Sequence, residues 1–504
     1  MPLLLAIALL VAAPTRDSVH ASAERTVVLR HATIVDVVGE RLIADQAIVI
    51  SGKRIVSVVP DRRVRVPHGA AVVDCTGQYV MPGLWDMHVH IPEIAYRADP
   101  AASAKMGWDY TSALLVANGV TGVRIPAGNL QRLQGWRRDV EKGLLIGPRM
   151  VLTGQKLGEQ PVISGAPFPI RTDADARLSV RQLRDAGADF VKLSPGLPVA
   201  LWRAAADEAR RIGIPIVGHS PATVALTEAS RLGLHSVEHL LNLPRETSLH
   251  DEPLGRPSLL EVVSKRTGQV LQWLRVVDPT APIDEQIATH DTARAAAKFT
   301  LLHQQGTWVT PTLVLTASML QEQDRVFANN RRRYLTRDID IARIVDTRGF
   351  QRRLYSAQLL AFNMLLVREM QAAGVDLLAG SDAPTLSVPG FALHDELSLL
   401  VRAGLSPAAA LRTATANVGR FLRADSVGVL RDGAVADVIV LAENPLRDIS
   451  ATRRIRGVVA GGRYFSRSAL DDLLDSAAAI AAKSLEGRPA TQVTDIEADT
   501  ANRR

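Results

Sequence analysis

Five short segments each carry residues able to hold a cation. In Met87-His88-Val89-His90 two imidazoles are spaced two residues apart. On a strand, positions i and i+2 face the same side, so both rings can reach one ion. Solvated or core histidines fit the same spacing, and it is the placement after an apolar run that favours a metal. Gly187-Ala188-Asp189-Phe190-Val191-Lys192-Leu193-Ser194 reads as a strand with a lysine at its end. An ammonium has no lone pair, but a desolvated amine that takes up carbon dioxide becomes a carbamate, an anionic two-oxygen ligand able to bridge two cations. A lysine snorkelling to the surface is the plainer alternative. Ile216-Val217-Gly218-His219-Ser220 and Ser236-Val237-Glu238-His239-Leu240 present one histidine each at further strand ends, and imidazole suits Zn²⁺ and its relatives. Leu377-Leu378-Ala379-Gly380-Ser381-Asp382-Ala383-Pro384 closes an apolar strand with a carboxylate, which burial makes costly unless a cation or a donor accompanies it. The candidate ligands are therefore His88, His90, Lys192, His219, His239 and Asp382.

The elements that must position these residues follow from periodicity. Residues 25–80 alternate apolar and polar positions or come in β-branched bursts such as Ala47-Ile48-Val49-Ile50, punctuated by Gly39, Gly52, Pro60, Gly69 and Gly77, and read as a small β unit. After Pro82-Gly83, short strands alternate with Ala-, Leu- and Arg-rich helical stretches, which predicts an α/β fold with a parallel sheet and, at this length, an eight-stranded (β/α) barrel with ligands at the C-terminal strand ends. From Gly428 the short β pattern returns, so both chain ends are expected to combine into one composite β-sandwich. The expected division is a signal peptide at 1–23, a composite β-sandwich from 24–82 plus 425–467, and a hydrolase barrel at 83–424 carrying a helical insertion near 244–305. A short helix and mobile tail at 468–504 complete it.

The 504 residues, 47% hydrophobic and 22% charged, are enough for a large core. Lys plus Arg exceed Asp plus Glu by 59 to 52, yet no run of five basic residues occurs, so nucleic acid is not expected as a partner. The single cysteine, Cys75, excludes an intramolecular disulfide and any multi-cysteine metal site. Residues 3–13 form an apolar run of signal length, followed by Ala21-Ser22-Ala23, although no Lys or Arg precedes it. The expectation is an exported protein, periplasmic or secreted, with no stable membrane insertion after cleavage; homo-oligomerisation is left open.

The ordered set resembles the amidohydrolase superfamily, in its imidazolonepropionase-like and prolidase-like branch with two metals. The likeness extends through Gly119-Val120-Thr121-Gly122-Val123-Arg124, Gly147-Pro148-Arg149, Thr310-Pro311-Thr312-Leu313, Gly404-Leu405-Ser406-Pro407, Ala414-Thr415-Ala416-Asn417 and Ala436-Asp437. It implies that His88 and His90 bind the more buried metal with Asp382, that His219 and His239 bind the more exposed one, and that Lys192 bridges them as its CO2-derived carbamate. The implied cofactors are two divalent ions, Zn with Mn, Fe or Co as alternatives. Ile125 departs from the acidic residue that many relatives carry after the arginine, which points to a different substrate end of the pocket. His235 and His394 fit supporting or substrate contacts, with a structural role preferred.

Coordination to two cations brings water near neutral acidity, with a pKa of about 7, so a metal-bridging hydroxide can attack an amide carbonyl while Asp382 passes its proton to the leaving amine. The resemblance thus implies an amidohydrolase acting on a small molecule such as a dipeptide, an N-acyl amino acid or a cyclic amide. An esterase, lactonase or phosphotriesterase on the same site is the alternative within enzymes, and a non-catalytic exported binding protein is the alternative outside them.

Overall fold

The computed structural model describes residues 26–92, 100–158, 170–240, 242–249, 283–320, 331–336 and 357–485, together with the backbone of 257–263 and 270–277. The expected signal peptide and the polar tail from Gly487 lie outside the described residues.

β-Branched and aliphatic residues at alternate positions build one eight-stranded sheet from both ends of the chain. Its order is Arg463–Ser466, Ile455–Ala460, Val438–Leu441, Tyr79–Pro82, Val27–Asp36, Arg41–Ser51 and Arg54–Pro60, with Ala71–Asp74 pairing parallel to Val27–Asp36. The seam between the two ends is the antiparallel pairing of Val438 with Pro82 through Leu441 with Tyr79. Leu29, Ile48, Ile50, Ile55, Val80, Val438 and Val440 are buried together in it. The strand that carries this seam runs directly into His88 and His90, so the sheet anchors the first ligand segment.

The rest is mixed α/β. Leu84–Asp86, Val120–Ile125 and Arg149–Leu152 form one parallel sheet. Val191–Leu193, Ile216–His219, Leu234–Glu238 and Trp308–Thr310 form a second. Helices Pro100–Ala117, Leu130–Glu141, Asp173–Asp185 and Val199–Ile212 supply crossovers, as parallel neighbours require. The strands are short apolar runs because both faces are covered. Val199–Ile212 shows the logic from the helix side: Leu201, Trp202, Ala205 and Ala209 are buried against the sheet, and Gly213 ends the helix at φ 74°. Asp173–Asp185 begins with a reciprocal capping box between Thr172 and Asp175.

Three features differ from the sequence reading. Within the segment expected to be helical, Pro257–Val263 and Val270–Val277 pair as an antiparallel hairpin, flanked by true helices at Leu243–Thr247, Ile283–Ala288 and Thr292–Gln305. Val-Leu-Gln-Trp-Leu-Arg-Val-Val is rich in strand-forming residues. The expected strand at 377–380 is reduced to an isolated parallel bridge from Leu377 to Val309, with the Leu378 amide donating to Val309 O. The C-terminal helix is long, Arg467–Leu485, and buries Ala477 and Ala481 in a cluster with Tyr110, Ala113 and Leu114. Among the described residues no helix is long and apolar enough to cross a membrane.

Candidate metal centre

The six candidate ligands converge. The strand Leu84–Asp86 ends before His88, and the next residues are held by a parallel bridge from Val89 to Ala383 and by the His90 amide on Ala383 O. That pairing places Asp382 against both rings: Nε2 of His88 and Nε2 of His90 each lie 3.2 Å from Asp382 Oδ1. Lys192, on Val191–Leu193, puts Nζ 3.4 Å from His88 Nε2. The His239 ring lies 4.6 Å from that of His88 and 5.1 Å from that of His219, centroid to centroid. Gly380 makes the close approach feasible, since a Cβ there would stand 2.6 Å from Thr310 Cγ2 and 2.8 Å from His88 Cβ.

These residues fit a divalent cation. Ligand atoms about 2.1 Å from a tetrahedral ion stand about 3.4 Å from one another, which is close to the spacings around Asp382 and Lys192. Tautomers follow from the outer partners. The Thr312 hydroxyl donates to Pro311 O at 2.8 Å, so it accepts from His239 Nδ1 at 2.6 Å, leaving His239 Nε2 with its lone pair. Glu238 accepts from His88 Nδ1 at 2.8 Å, which likewise leaves His88 Nε2 a lone pair, facing Asp382 and Lys192. His219 Nδ1 is buried with no hydrogen-bond partner, an orphan that a cation would satisfy.

The electrostatics agree. Burial, reinforced by His88, holds the His239 imidazolium down to about 3. Burial and the charge of Lys192 hold His219 well below the usual histidine range. Both rings are therefore neutral, the form in which an imidazole can hold a cation. Burial would raise the Asp382 carboxyl, but His239, His88 and His90 outweigh it and keep it well below the usual carboxylate range. Burial and the neighbouring Lys156 draw the Lys192 ammonium down to about 8, so a fraction of the neutral amine is present at neutral pH.

Sequence reasoning missed the support behind these ligands. Arg124 is fully buried and donates from Nε to Met87 O at 2.7 Å and from Nη2 to both oxygens of Glu238 at 2.6 Å. Ser236 Oγ donates to the same carboxylate at 2.5 Å. Burial pushes Glu238 up, yet Arg124, His88 and Lys192 hold it below the usual range. Asp86 receives the amides of His88 and Ser381 at 3.1 and 3.0 Å and locks the two ligand segments together. His394 uses both ring nitrogens structurally, on Thr452 Oγ1 and Asn118 O at 3.0 Å each. His235 stacks on Phe421 at 4.6 Å. A second His and Asp group, His31 with Asp45 and Asp61, is an ion-pair network in which Arg30 Nε donates to Asp61 at 2.7 Å. A cavity of about 590 Å³ opens at the opposite, N-terminal ends of the strands and shares no residue with the ligand cluster.

Comparison with known proteins bears on the family and the fold. Ochratoxinase of Aspergillus niger is 38% identical over 99 residues, which cover 18% of this chain and 20% of that protein; the match thus spans about a fifth of the curated relative. Among solved structures, a prolidase candidate from Bifidobacterium longum superposes with a TM-score of 0.62 at 25% identity, over 90% of this chain and 100% of that one. The A. niger ochratoxinase structure gives 0.60 at 19% identity, over 88% and 96%, a likeness of fold alone. The amidohydrolase family model matches residues 79–464, a span that takes in every candidate ligand and most of the chain, and the chain belongs to that family.

Proposed function

We propose that the protein is a metal-dependent amidohydrolase that cleaves the C–N bond of a small amide, such as a dipeptide, an N-acyl amino acid or a cyclic amide. The observation that carries the reading is the convergence of four histidines, a buried lysine and a carboxylate from separate strand ends on one small volume. When bound, two divalent cations supply a water nucleophile near neutral pH and polarise the scissile carbonyl. His88, His90 and Asp382 would hold the more buried ion, His219 and His239 the more exposed one, and Lys192, as a carbamate, would bridge them. Asp382 takes the proton of the attacking water and delivers it to the departing amine. The likeness to the prolidase candidate supports the choice of bond.

The proposed architecture is a closed (β/α) barrel over 83–424, with residues 377–379 as its eighth strand, beside the composite unit of 24–82 and 425–467. Parallel contacts from Val309 to Leu377 and from Met87 N to Ala379 O support closure on one side. The Asp189 and Phe190 amides on Leu152 O support it on the other.

The test is elemental analysis of the purified protein beside a panel of dipeptides, N-acyl amino acids, cyclic amides and esters. About two ions per chain with chelator-sensitive amide cleavage is the expected result. Less than one ion after reconstitution with Zn²⁺ or Mn²⁺ and bicarbonate, with every substrate intact, overturns it. Cleavage of the esters alone moves the reading to an esterase.

A further inference from the structure

Three consecutive polar side chains, His394, Asp395 and Glu396, are buried on the helix Phe391–Arg402. His394 and Asp395 fix the helix in place. His394 holds Thr452 Oγ1 and Asn118 O at 3.0 Å each, and Asp395 accepts from Arg453 Nη2 at 2.7 Å. Glu396 instead holds the start of the short helix Leu313–Met319: its Oε2 accepts from the Val314 amide at 2.7 Å, and the carboxyl also takes the Leu313 amide. Its Oε1 is buried with no hydrogen-bond partner. Burying a carboxyl with an unsatisfied oxygen is costly. A core position with no further task suits an apolar residue, as at the neighbouring Leu393 and Leu397.

The Leu313 and Val314 amides follow Thr312 directly. Thr312 is β-branched and sits at φ 49°, in the left-handed region that such residues rarely adopt. That conformation persists only where the surroundings impose it. On the N-terminal side the chain is held by Thr310 O, which accepts from the His239 amide at 2.9 Å; on the C-terminal side it is held by the carboxyl of Glu396. The Thr312 hydroxyl lies between these holds, donating to Pro311 O at 2.8 Å and accepting from His239 Nδ1 at 2.6 Å. We infer that Glu396 is a positioning residue for His239: by holding the Leu313 and Val314 amides it keeps Thr312 in its left-handed turn, with the hydroxyl set against the imidazole. Burial pushes the Glu396 carboxyl up to about 8, so it is largely uncharged at neutral pH. A neutral carboxyl still accepts through its carbonyl oxygen, and the clamp needs no charge. The consequence for a cation on His239 rests on the metal-dependent reading above; the link from Glu396 to His239 does not.

The test follows the imidazole proton of His239. A buried N–H that donates at 2.6 Å gives a downfield proton resonance, to be recorded on the full-length chain with and without added Zn²⁺ and assigned by its loss in His239→Gln. It should persist in Glu396→Gln, which keeps an accepting oxygen without charge, and disappear in Glu396→Leu, which releases the Leu313 and Val314 amides. Should Glu396→Leu not fold, Glu396→Asp, whose shorter side chain falls short of those amides, takes its place. Competitive titration should show zinc on His239 held about tenfold or more weakly in Glu396→Leu, with the ion on His88, His90 and Asp382 retained, and near wild type in Glu396→Gln. A signal that persists in Glu396→Leu, a signal lost from Glu396→Gln, or no His239 signal in wild type overturns the assignment. So does a lower melting temperature in Glu396→Leu with signal and zinc affinity unchanged, which a purely structural role predicts. The metal reading is judged separately. The expected pattern of signals with no zinc bound to wild type keeps Glu396 and removes the metal centre. About two ions per chain bound to every variant with equal affinity keeps the metal centre and removes Glu396.

Discussion

Arg124 and Glu238 form an ion pair with no exposure on either side chain, both carboxylate oxygens lying 2.6 Å from Arg124 Nη2, and the same carboxylate accepts from Nδ1 of His88. A candidate metal ligand is thus oriented by a carboxylate that is itself held by a guanidinium. Other donors of Arg124 reach Met87 O and Ser236 Oγ, so one cation ties its own strand and Leu234–Glu238 to the ligand segment. Such outer partners fix the tautomer and the ring direction of a metal-binding histidine.

Replacing Glu238 by Gln keeps the shape and removes the charge, leaving Arg124 buried without a counterion. Breaking a buried pair in this way destabilises by about 3–5 kcal/mol. Loss of an outer partner weakens metal binding by about 10–100-fold. Thermal unfolding and a competitive zinc titration on Glu238→Gln should show both effects. A variant that melts and binds zinc like wild type would show that the pair does neither.

Asp382 touches His88 and His90 with the same oxygen, and the proposed function makes it both ligand and proton acceptor. Asp382→Asn retains an oxygen at that position while losing basicity. Turnover should fall by about 10²–10⁴-fold, with a substantial part of the metal still bound through the four histidines and Lys192. The measurement is kcat beside metal content on the same preparation. Retained turnover in a metal-loaded variant takes the proton-transfer role from Asp382.

Acid sensitivity should arise away from the site as well as within it. Glu208, on the helix Val199–Ile212, is bound by Arg211 and Arg181, whose hydrogen bonds overcome burial and hold its carboxyl at about 2 against an ordinary 4.5. Because the folded value is depressed, the charged form stabilises the fold fully above the unfolded value, and that contribution is lost as pH falls from 4.5 toward about 2. Glu208→Gln should lower the urea midpoint at neutral pH and should approach wild type as the pH is brought down through that window. Added salt should shrink the neutral-pH difference, since both arginines are partly exposed. A difference that is constant with pH points instead to packing.

The candidate ligands were legible in the sequence because they fall at the ends of five short apolar runs, His88 and His90 sharing one. His88 and His90 do share one oxygen partner, although the strand stops at Asp86 and the following bridge to Ala383 aligns them. Strand alternation sets Glu238 and His239 on opposite faces. Both nevertheless face the cluster, because His239 lies beyond the strand at φ 63°, and Asp382 turns in the same way at φ 54°. A left-handed backbone at a residue other than glycine is not written in residue type. Arg124 read as part of a family motif, but its carboxylate partner is 114 positions away, and burial of a charge becomes intelligible only once that partner is located. The hairpin at Pro257–Val263 and Val270–Val277 was read as helical because Leu, Gln and Arg serve either period, and cross-strand pairing decides between them.

Gly380 offers a test of how tightly the ligand segments are packed. Its missing side chain is the space in which the segments of Thr310, His88 and Asp382 meet, and a Cβ would stand 2.6 Å from Thr310 Cγ2, 2.8 Å from His88 Cβ and 3.0 Å from His88 N. None of these atoms is the end of a flexible chain, so relief requires movement of backbone. Thr310 also faces Arg124 Nη2 at 3.2 Å, and the Ser381 and Asp382 amides both donate to His88 O. A shift at Gly380 is therefore passed to His88 from two sides. Gly380→Ala should destabilise by about 1–3 kcal/mol, the range for overpacking a dense interior. It should also weaken zinc binding, although it removes no ligand. Measuring the melting temperature with and without zinc separates the two effects: a fall in the apo protein reports the packing, and a smaller zinc-dependent rise reports the displaced ligands. An apo protein that melts as wild type and gains the same stability from zinc would mean that the segments yield without moving His88, and that the site is looser than these distances imply.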